Sequence, residues 1–173
     1  MLIVAATERE LEHVRRFDTF CCGIGPVEAA VRTAQALGER RPDAVIHIGI
    51  AGARAIEPLS VVLGSEAVYE DALGPLVESR VEPDAALLAR IAATLPEARV
   101  LPIGTSARVG GTRECDVEAM EGFGVLRACA LAEVPAVELR VISNAIGELD
   151  RAKWRFDEAF ELLGAVLDRL DVV

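Results

Sequence analysis

Ala44-Val45-Ile46-His47-Ile48-Gly49-Ile50 reads as a continuous apolar strand, ending in Gly49-Ile50-Ala51-Gly52. A strand of that kind is buried between covering helices, which is the signature of an α/β layer structure. Upstream, Pro26 sits at the first position of a helix running to about Arg40, with Val27, Ala30, Val31, Ala34 and Leu37 as its apolar stripe. Before it lie the tight turn Gly23-Ile24-Gly25-Pro26, a strand over Phe17–Cys22, a short helix over Glu8–Arg16 and a first strand over Leu2–Ala6. Downstream, the Pro58 turn leads to a strand over Val61–Tyr69, then a helix over Ala85–Leu95 and a strand over Arg99–Ile103. A buried, Ala-rich helix over Gly122–Ala132, a strand over Ala136–Ile142 and one long helix over Arg151–Leu170 follow. In that last helix Phe156, Phe160, Leu163, Leu167 and Leu170 face a core, and Asp157, Glu158, Glu161 and Asp168 face solvent. The expectation is a single α/β domain over residues 1–173, with three layers around a mixed central sheet.

Composition agrees with one core: 173 residues, 52% hydrophobic, with only 4% aromatic. No apolar run reaches the ~20 residues of a membrane-spanning helix, and Glu8, Arg9 and Glu10 interrupt the first strand at once, against a signal peptide. No membrane is expected, and the location expected is cytoplasmic. A net charge of −10 without a Lys/Arg cluster disfavours nucleic acid as a partner. Cys21, Cys22, Cys115 and Cys129 show no Cys-x-x-Cys spacing and read as reduced packing residues, while His13 and His47 have no companion at metal-ligand spacing. The Gly23-x-Gly25 turn has Glu28 where a dinucleotide loop has its third glycine, and no P-loop ending occurs. No metal and no cofactor are expected.

Ligands of such sheets collect at the carboxyl ends of strands. Four segments fall there, Thr7-Glu8-Arg9-Glu10, Gly23-Ile24-Gly25-Pro26, Gly49-Ile50-Ala51-Gly52 and Ser143-Asn144, with Met120-Glu121-Gly122 opening the helix before the last strand. Each has two readings. Thr7-x-x-Glu10 is a capping box, or Glu10 is a general base acting on water. Glu121 is a solvated first-turn acid, or a carboxylate gripping two adjacent hydroxyls of a ribose. Asn144 closes a turn, or its amide both donates to and accepts from a base edge. Gly49 and Gly52 permit a sharp chain reversal, or let a ligand approach. His47 reads as a satisfied core histidine, and Trp154 as core, rim or substrate wall, in that order.

Taken in order, Cys22-Gly-Ile-Gly-Pro-Val-Glu-Ala-Ala30, Val45-Ile-His-Ile-Gly-Ile-Ala-Gly52, Val117-Glu-Ala-Met-Glu-Gly122 and Val134-Pro-Ala-Val-Glu-Leu-Arg-Val-Ile-Ser-Asn144 resemble the nucleoside phosphorylase/nucleosidase superfamily. Asn144, where methylthioadenosine/S-adenosylhomocysteine nucleosidases carry an aspartate, together with Gly147, Asp150-Arg151 and Trp154, resembles the futalosine hydrolase branch, which serves the alternative menaquinone route. The resemblance implies a nucleoside phosphorylase-like fold and an N-glycosyl hydrolase that releases hypoxanthine from a purine nucleoside. It implies that Glu10 orients the attacking water, that Met120 and Glu121 hold the ribose, and that Asn144, with Ser143 beside it, engages the leaving purine. Ile50, Ala51, Gly52 and Gly25 would frame the sugar and water site. Val109 stands where a related nucleosidase offers an aromatic, and the connections Glu10 to Gly23 and Gly111 to Val117 are short for the superfamily. A homo-oligomer whose partner completes the pocket is the expectation. Two other readings are an adenine-releasing nucleosidase, which Asn144 disfavours, and a purine-nucleoside binding protein without turnover. Phosphorolysis stands lower, since only Arg54 follows the glycine loops as an anion ligand.

Overall fold

The computed structural model describes residues 1–72 and 74–171. In chain order it contains β1 (Leu2–Ala5), α1 (Glu8–Leu11), β2 (Asp18–Cys21), α2 (Pro26–Arg40), β3 (Val45–Ala53), β4 (Val61–Tyr69), β5 (Arg80–Val81), α3 (Ala85–Thr94), β6 (Arg99–Thr105), β7 (Val117–Ala119), α4 (Gly122–Leu131), β8 (Ala136–Ala145), a 3-10 turn (Arg151–Lys153) and α5 (Phe156–Arg169). All eight strands form one mixed sheet. β2, β1, β3 and β8 run parallel, β4 joins β8 antiparallel, and β6 and β7 continue from β4 until β7 returns to pair antiparallel with β3. Five strands thereby close into a ring, with β1 and β2 as an open wing.

Alternation along the strands sorts side chains between the layers. Ile3, Ile46, Ile48 and Leu139 pack with Leu87 and Ile91 of α3 and Phe160, Leu163 and Leu167 of α5. Leu2, Val4 and Val45 face Ala29 and Leu37 of α2 and Val125, Leu126 and Cys129 of α4. Ala51, Val62, Ile103, Val117 and Ile142 form a smaller cluster within the ring. The expected three layers and mixed sheet are present, and among the described residues no helix is long and apolar enough to cross a membrane.

Four local expectations are corrected. The buried side of α2 is Pro26, Ala29, Thr33, Ala36 and Leu37, while Val27 and Val31 are exposed. Close packing on α4 sets that rotation, because a side chain on Gly124 would lie 2.4 Å from the Pro26 carbonyl and only small residues fit the contact. The helix after β1 lasts one turn, since the chain must swing back to lay β2 beside β1. The final helix starts at Phe156: Trp154 is extended (φ −76°, ψ 132°) and separates it from the 3-10 turn. Gly49 and Gly52 lie inside β3, which runs on to Ala53, so neither reverses the chain. The short strands β5 and β7 were not expected, having two and three residues and no periodicity to read.

Candidate active site

A cleft of about 670 Å³ opens where β1, β3 and β8 end and α4 begins. Glu10, Ile50, Ala51, Gly52, Val109, Met120, Glu121, Ser143 and Asn144 all border it. Gly25 stands behind the wall, its N–H donating to Glu121 Oε1 at 3.0 Å, while its neighbour Ile24 faces the cavity. At Gly23 and Gly25 the backbone has φ of 84° and 93°, a region that favours glycine and lets the turn deliver that N–H.

Glu10 combines both of its readings. Its Oε2 accepts from the Thr7 N–H at 2.9 Å and the Thr7 hydroxyl at 3.0 Å, completing the capping box. Its Oε1 accepts from the Ile50 N–H at 3.2 Å, tying α1 to β3 across the floor of the cleft. The cap therefore orients the carboxylate rather than competing with a chemical role. Glu121 is 5% exposed, and burial pushes its carboxyl above the ordinary glutamate range against the pull of Arg140 and the Gly25 N–H.

Sequence reasoning passed over what lies beneath these two acids. The parallel register of β3 on β8 sets His47 beside Glu138 and Gly49 beside Arg140. Arg140 is fully buried, donating from Nε to Glu138 Oε1 at 2.8 Å, with Nη2 3.8 Å from Glu121 Oε2. His47 Nδ1 lies 3.0 Å from the Val4 carbonyl, which can only accept, so the ring carries its proton there and Nε2 accepts from Arg140 Nη2. Burial and the neighbouring guanidinium hold His47 well below the usual histidine range, hence neutral. A Cβ on Gly49 would stand 2.1 Å from Arg140 Nη1 and 2.6 Å from Glu10 Oε1, so only glycine leaves room at this point for both side chains. The available signal was Glu138 and Arg140, two charges spaced i, i+2 in an otherwise apolar strand. Cys22 is no nucleophile here, its thiol pushed up to about 12 by burial first and the Glu121 carboxylate second.

At the far wall Asn144 Oδ1 accepts from the Ser143 hydroxyl at 2.8 Å, and its Nδ2 donates to the Ala145 carbonyl at 3.0 Å. One Nδ2 hydrogen and one Oδ1 lone pair stay free for a ligand. Gly52 keeps this amide close to β3, since a Cβ there would lie 3.1 Å from Nδ2. The short connection before β7 is held by carboxylates: Glu118 accepts from the Gly110 and Thr112 N–H groups, Asp71 from Ala107, and Glu70 from residues 113 to 115. Arg54 is committed to the Cys115 and Thr112 carbonyls and does not border the cleft, which removes the anion ligand that phosphorolysis would have used. Trp154 lies in the cleft wall, not the core, its indole N–H donating to the Glu148 carbonyl at 3.0 Å. Among the described residues no group of His, Cys, Asp and Glu is arranged to hold a metal, and all four cysteines are unpaired.

Residues 19–170 match the model of the phosphorylase superfamily. The chain is 35% identical to a futalosine hydrolase of Streptomyces coelicolor, with 89% of this chain and 78% of that protein aligned. It is 31% identical to a futalosine hydrolase of Thermus thermophilus, over 86% of this chain and 78% of that one. Among solved structures, the native futalosine hydrolase of Helicobacter pylori superposes with a TM-score of 0.87 at 15% identity, covering 98% of this chain and 95% of that one. A 5′-methylthioadenosine/S-adenosylhomocysteine nucleosidase of Neisseria meningitidis, in complex with methylthio-immucillin-A, superposes at 0.82 with 20% identity, covering 98% and 95%.

Proposed function

The chain belongs to the phosphorylase superfamily and, within it, to the futalosine hydrolases, and from that premise we propose that it cleaves the N-glycosidic bond of futalosine and releases hypoxanthine. Membership makes the chain a nucleoside hydrolase. The observation that carries the substrate and the roles is the convergence of Glu10, Glu121 and Asn144 on one cleft. Breaking the bond leaves a cation-like sugar and an electron-rich base, so the site must favour positive charge at the ribose and receive the departing purine. Glu121 accepts from the ribose hydroxyls beside Met120, and its charge lies under the forming cation. Glu10 accepts a proton from a water whose oxygen bonds to the anomeric carbon as the carbon–nitrogen bond breaks. The electron pair leaves with the base, which takes up a proton. Asn144 donates to O6 of the 6-oxopurine and accepts from its protonated N7, a pairing that the amino group of adenine does not offer.

Ile50, Ala51 and Gly52 frame the sugar, and Gly25 holds Glu121 from behind. Val109, 52% exposed at the cleft edge, leaves the base's outer wall open. We read the protein as a cytoplasmic homo-oligomer whose second copy covers the exposed Ile24 at the cleft and the exposed Val27 and Val31 of α2.

Free base is measured by chromatography after phosphate-free incubation with futalosine, inosine and methylthioadenosine in parallel, with light scattering of the same preparation for its assembly. Hypoxanthine from futalosine, reduced about 10²–10⁴-fold in Glu10→Gln as expected for loss of a general base, supports the reading. Adenine from methylthioadenosine moves the protein to the sister activity. Tight nucleoside binding without base release, unchanged in Glu10→Gln, identifies a binding protein instead. A monomer in light scattering removes the second copy.

A further inference from the structure

Glu138 is fully buried together with Arg140 and His47, and none of the three borders the cleft that Glu10 and Glu121 line. We propose that Glu138 is a positioning residue for the hydrolytic reaction: through its hydrogen bond to Arg140 Nε it turns the guanidinium toward Glu10 and Glu121, in a space that Gly122 leaves empty for it. The proposal rests on the hydrolase reading above and adds a residue, together with the vacancy that admits it.

Three observations carry it. The first is position. Arg140 and Glu138 are i, i+2 on β8, so both side chains project from the same face, and Nε–H is the donor that sets the plane of the guanidinium. With Nε held by Glu138 and Nη2 by His47, the remaining Nη1 edge is directed to the place where Gly49 lacks a side chain and where Glu10 Oε1 also lies. Arg140 has no freedom left.

The second is space. A Cβ on Gly122 would fall 2.2 Å from Glu138 Oε2 and 2.3 Å from Oε1, and one on Gly64 would fall 3.3 Å from Glu138 Cβ. Glu138 is admitted by two glycines, one on each side. A core needing only volume at this point would be filled by an alanine at 122 and an aliphatic residue at 138.

The third is charge. Glu10, Glu121 and Glu138 share one guanidinium and a neutral histidine, and Glu138 Oε2 has no hydrogen-bond partner among the described residues. Buried ion pairs exchanged for well-packed apolar side chains are often neutral or stabilising. The unpaired oxygen is a cost that apolar volume would avoid, and the side-chain hydrogen bond that Glu138 makes in return is to Arg140.

The experiment compares wild type with Glu138→Gln and with the double variant Gly122→Ala/Glu138→Val, which refills the vacated space with apolar volume. The double variant leaves the buried Nε–H of Arg140 without its acceptor and is expected to melt cooperatively below the wild-type Tm. Its kcat for base release, measured well below that Tm, is expected to be about 100-fold lower, as for a reacting group misplaced by an ångström. Its KM is expected to stay within about threefold, marking an interaction that acts in the transition state. Glu138→Gln keeps the side-chain size and an acceptor for Nε–H, and recovers about tenfold of the loss. A kcat unchanged in the double variant, or a glutamine variant no better than it, overturns the proposal and makes Glu138 a core residue. The Arg140 Nε–H proton resonance supplies a readout independent of turnover: it is exchange-protected in wild type and in Glu138→Gln, and lost in the double variant. If wild type releases no base from any nucleoside, the hydrolase reading fails by itself. A resonance that persists in the double variant then overturns the positioning claim as well.

Discussion

The floor of the cleft and its mouth are built in opposite ways. On the floor Glu10 and Glu121, and behind them His47, Glu138 and Arg140, are all buried, and each side chain is held by at least one polar partner from another element or from its own strand. At the mouth Ile24 is 63% and Leu149 87% exposed, and the polar contacts there, such as Lys153 with Glu148 and Arg151 over the rings of Trp154 and Phe156, are made by exposed or half-buried side chains. Catalysis gains from groups that need no reorganisation as charge develops, whereas holding the remote part of a ligand tolerates adjustment. The contrast predicts that substitutions on the floor change kcat and that substitutions at the mouth change KM.

The largest effect is expected from one methyl group. Gly49→Ala places a Cβ against both Arg140 Nη1 and Glu10 Oε1, and neither β3 nor β8 can shift without breaking their register. It should lower kcat about 100-fold and destabilise the fold by about 1–3 kcal/mol, the usual range for an overpacked core. Base release and urea unfolding check the two numbers. Near-normal kcat would mean that the guanidinium moves freely, and the floor would then be no more rigid than the mouth.

The difference between floor and mouth also separates what the sequence reveals from what it hides. The layers, the single domain and the segments that meet at the cleft follow from apolar periodicity and from loops at strand ends, and they stand as expected. The face of α2 did not, because Ala29, Thr33 and Ala36 are buried by close approach to α4 while the larger Val27 and Val31 stay outside. Hydrophobic size is a poor guide where two backbones touch. The roles of Glu138 and Arg140 were hidden for a different reason. Alternating charges in a strand signal a solvated face, and only the pairing of β3 with β8, remote in sequence, shows that this face is closed. His47 was correctly read as a core histidine, but the group it satisfies is a guanidinium, which no local pattern reveals.

A smaller effect is expected on the floor from pH. Burial raises the Glu121 carboxyl above its ordinary 4.5, and in the proposed reaction it is the ionised form that accepts from ribose hydroxyls. The acidic limb of kcat/KM should therefore lie above 4.5, with activity rising as pH increases through it. Stability runs the other way. A carboxyl raised by folding stabilises the native state fully below its unfolded value, and that contribution is lost as pH rises through the folded value. Glu138 is raised too, while the lowered His47 acts with the opposite sign, so the comparison is made by difference. The stability of wild type relative to Glu121→Gln should fall as pH rises from 4.5 through the acidic limb. A flat difference would show that Glu121 keeps an ordinary affinity for its proton, and that the floor is wetter than its burial implies.

The smallest effect belongs to the mouth. Trp154 is fixed by its N–H to the Glu148 carbonyl and lies 5.4 Å from the Phe156 ring, as part of the cleft wall. Trp154→Ala should raise KM for futalosine about tenfold with kcat little changed, since a contact equally present in ground and transition states contributes uniform binding. Inosine, which lacks the non-nucleoside arm, should show almost no change in either constant. If kcat for inosine falls as far as that for futalosine, Trp154 is coupled to the floor, and the 3-10 turn that carries it belongs to the catalytic framework as much as β3 and β8 do.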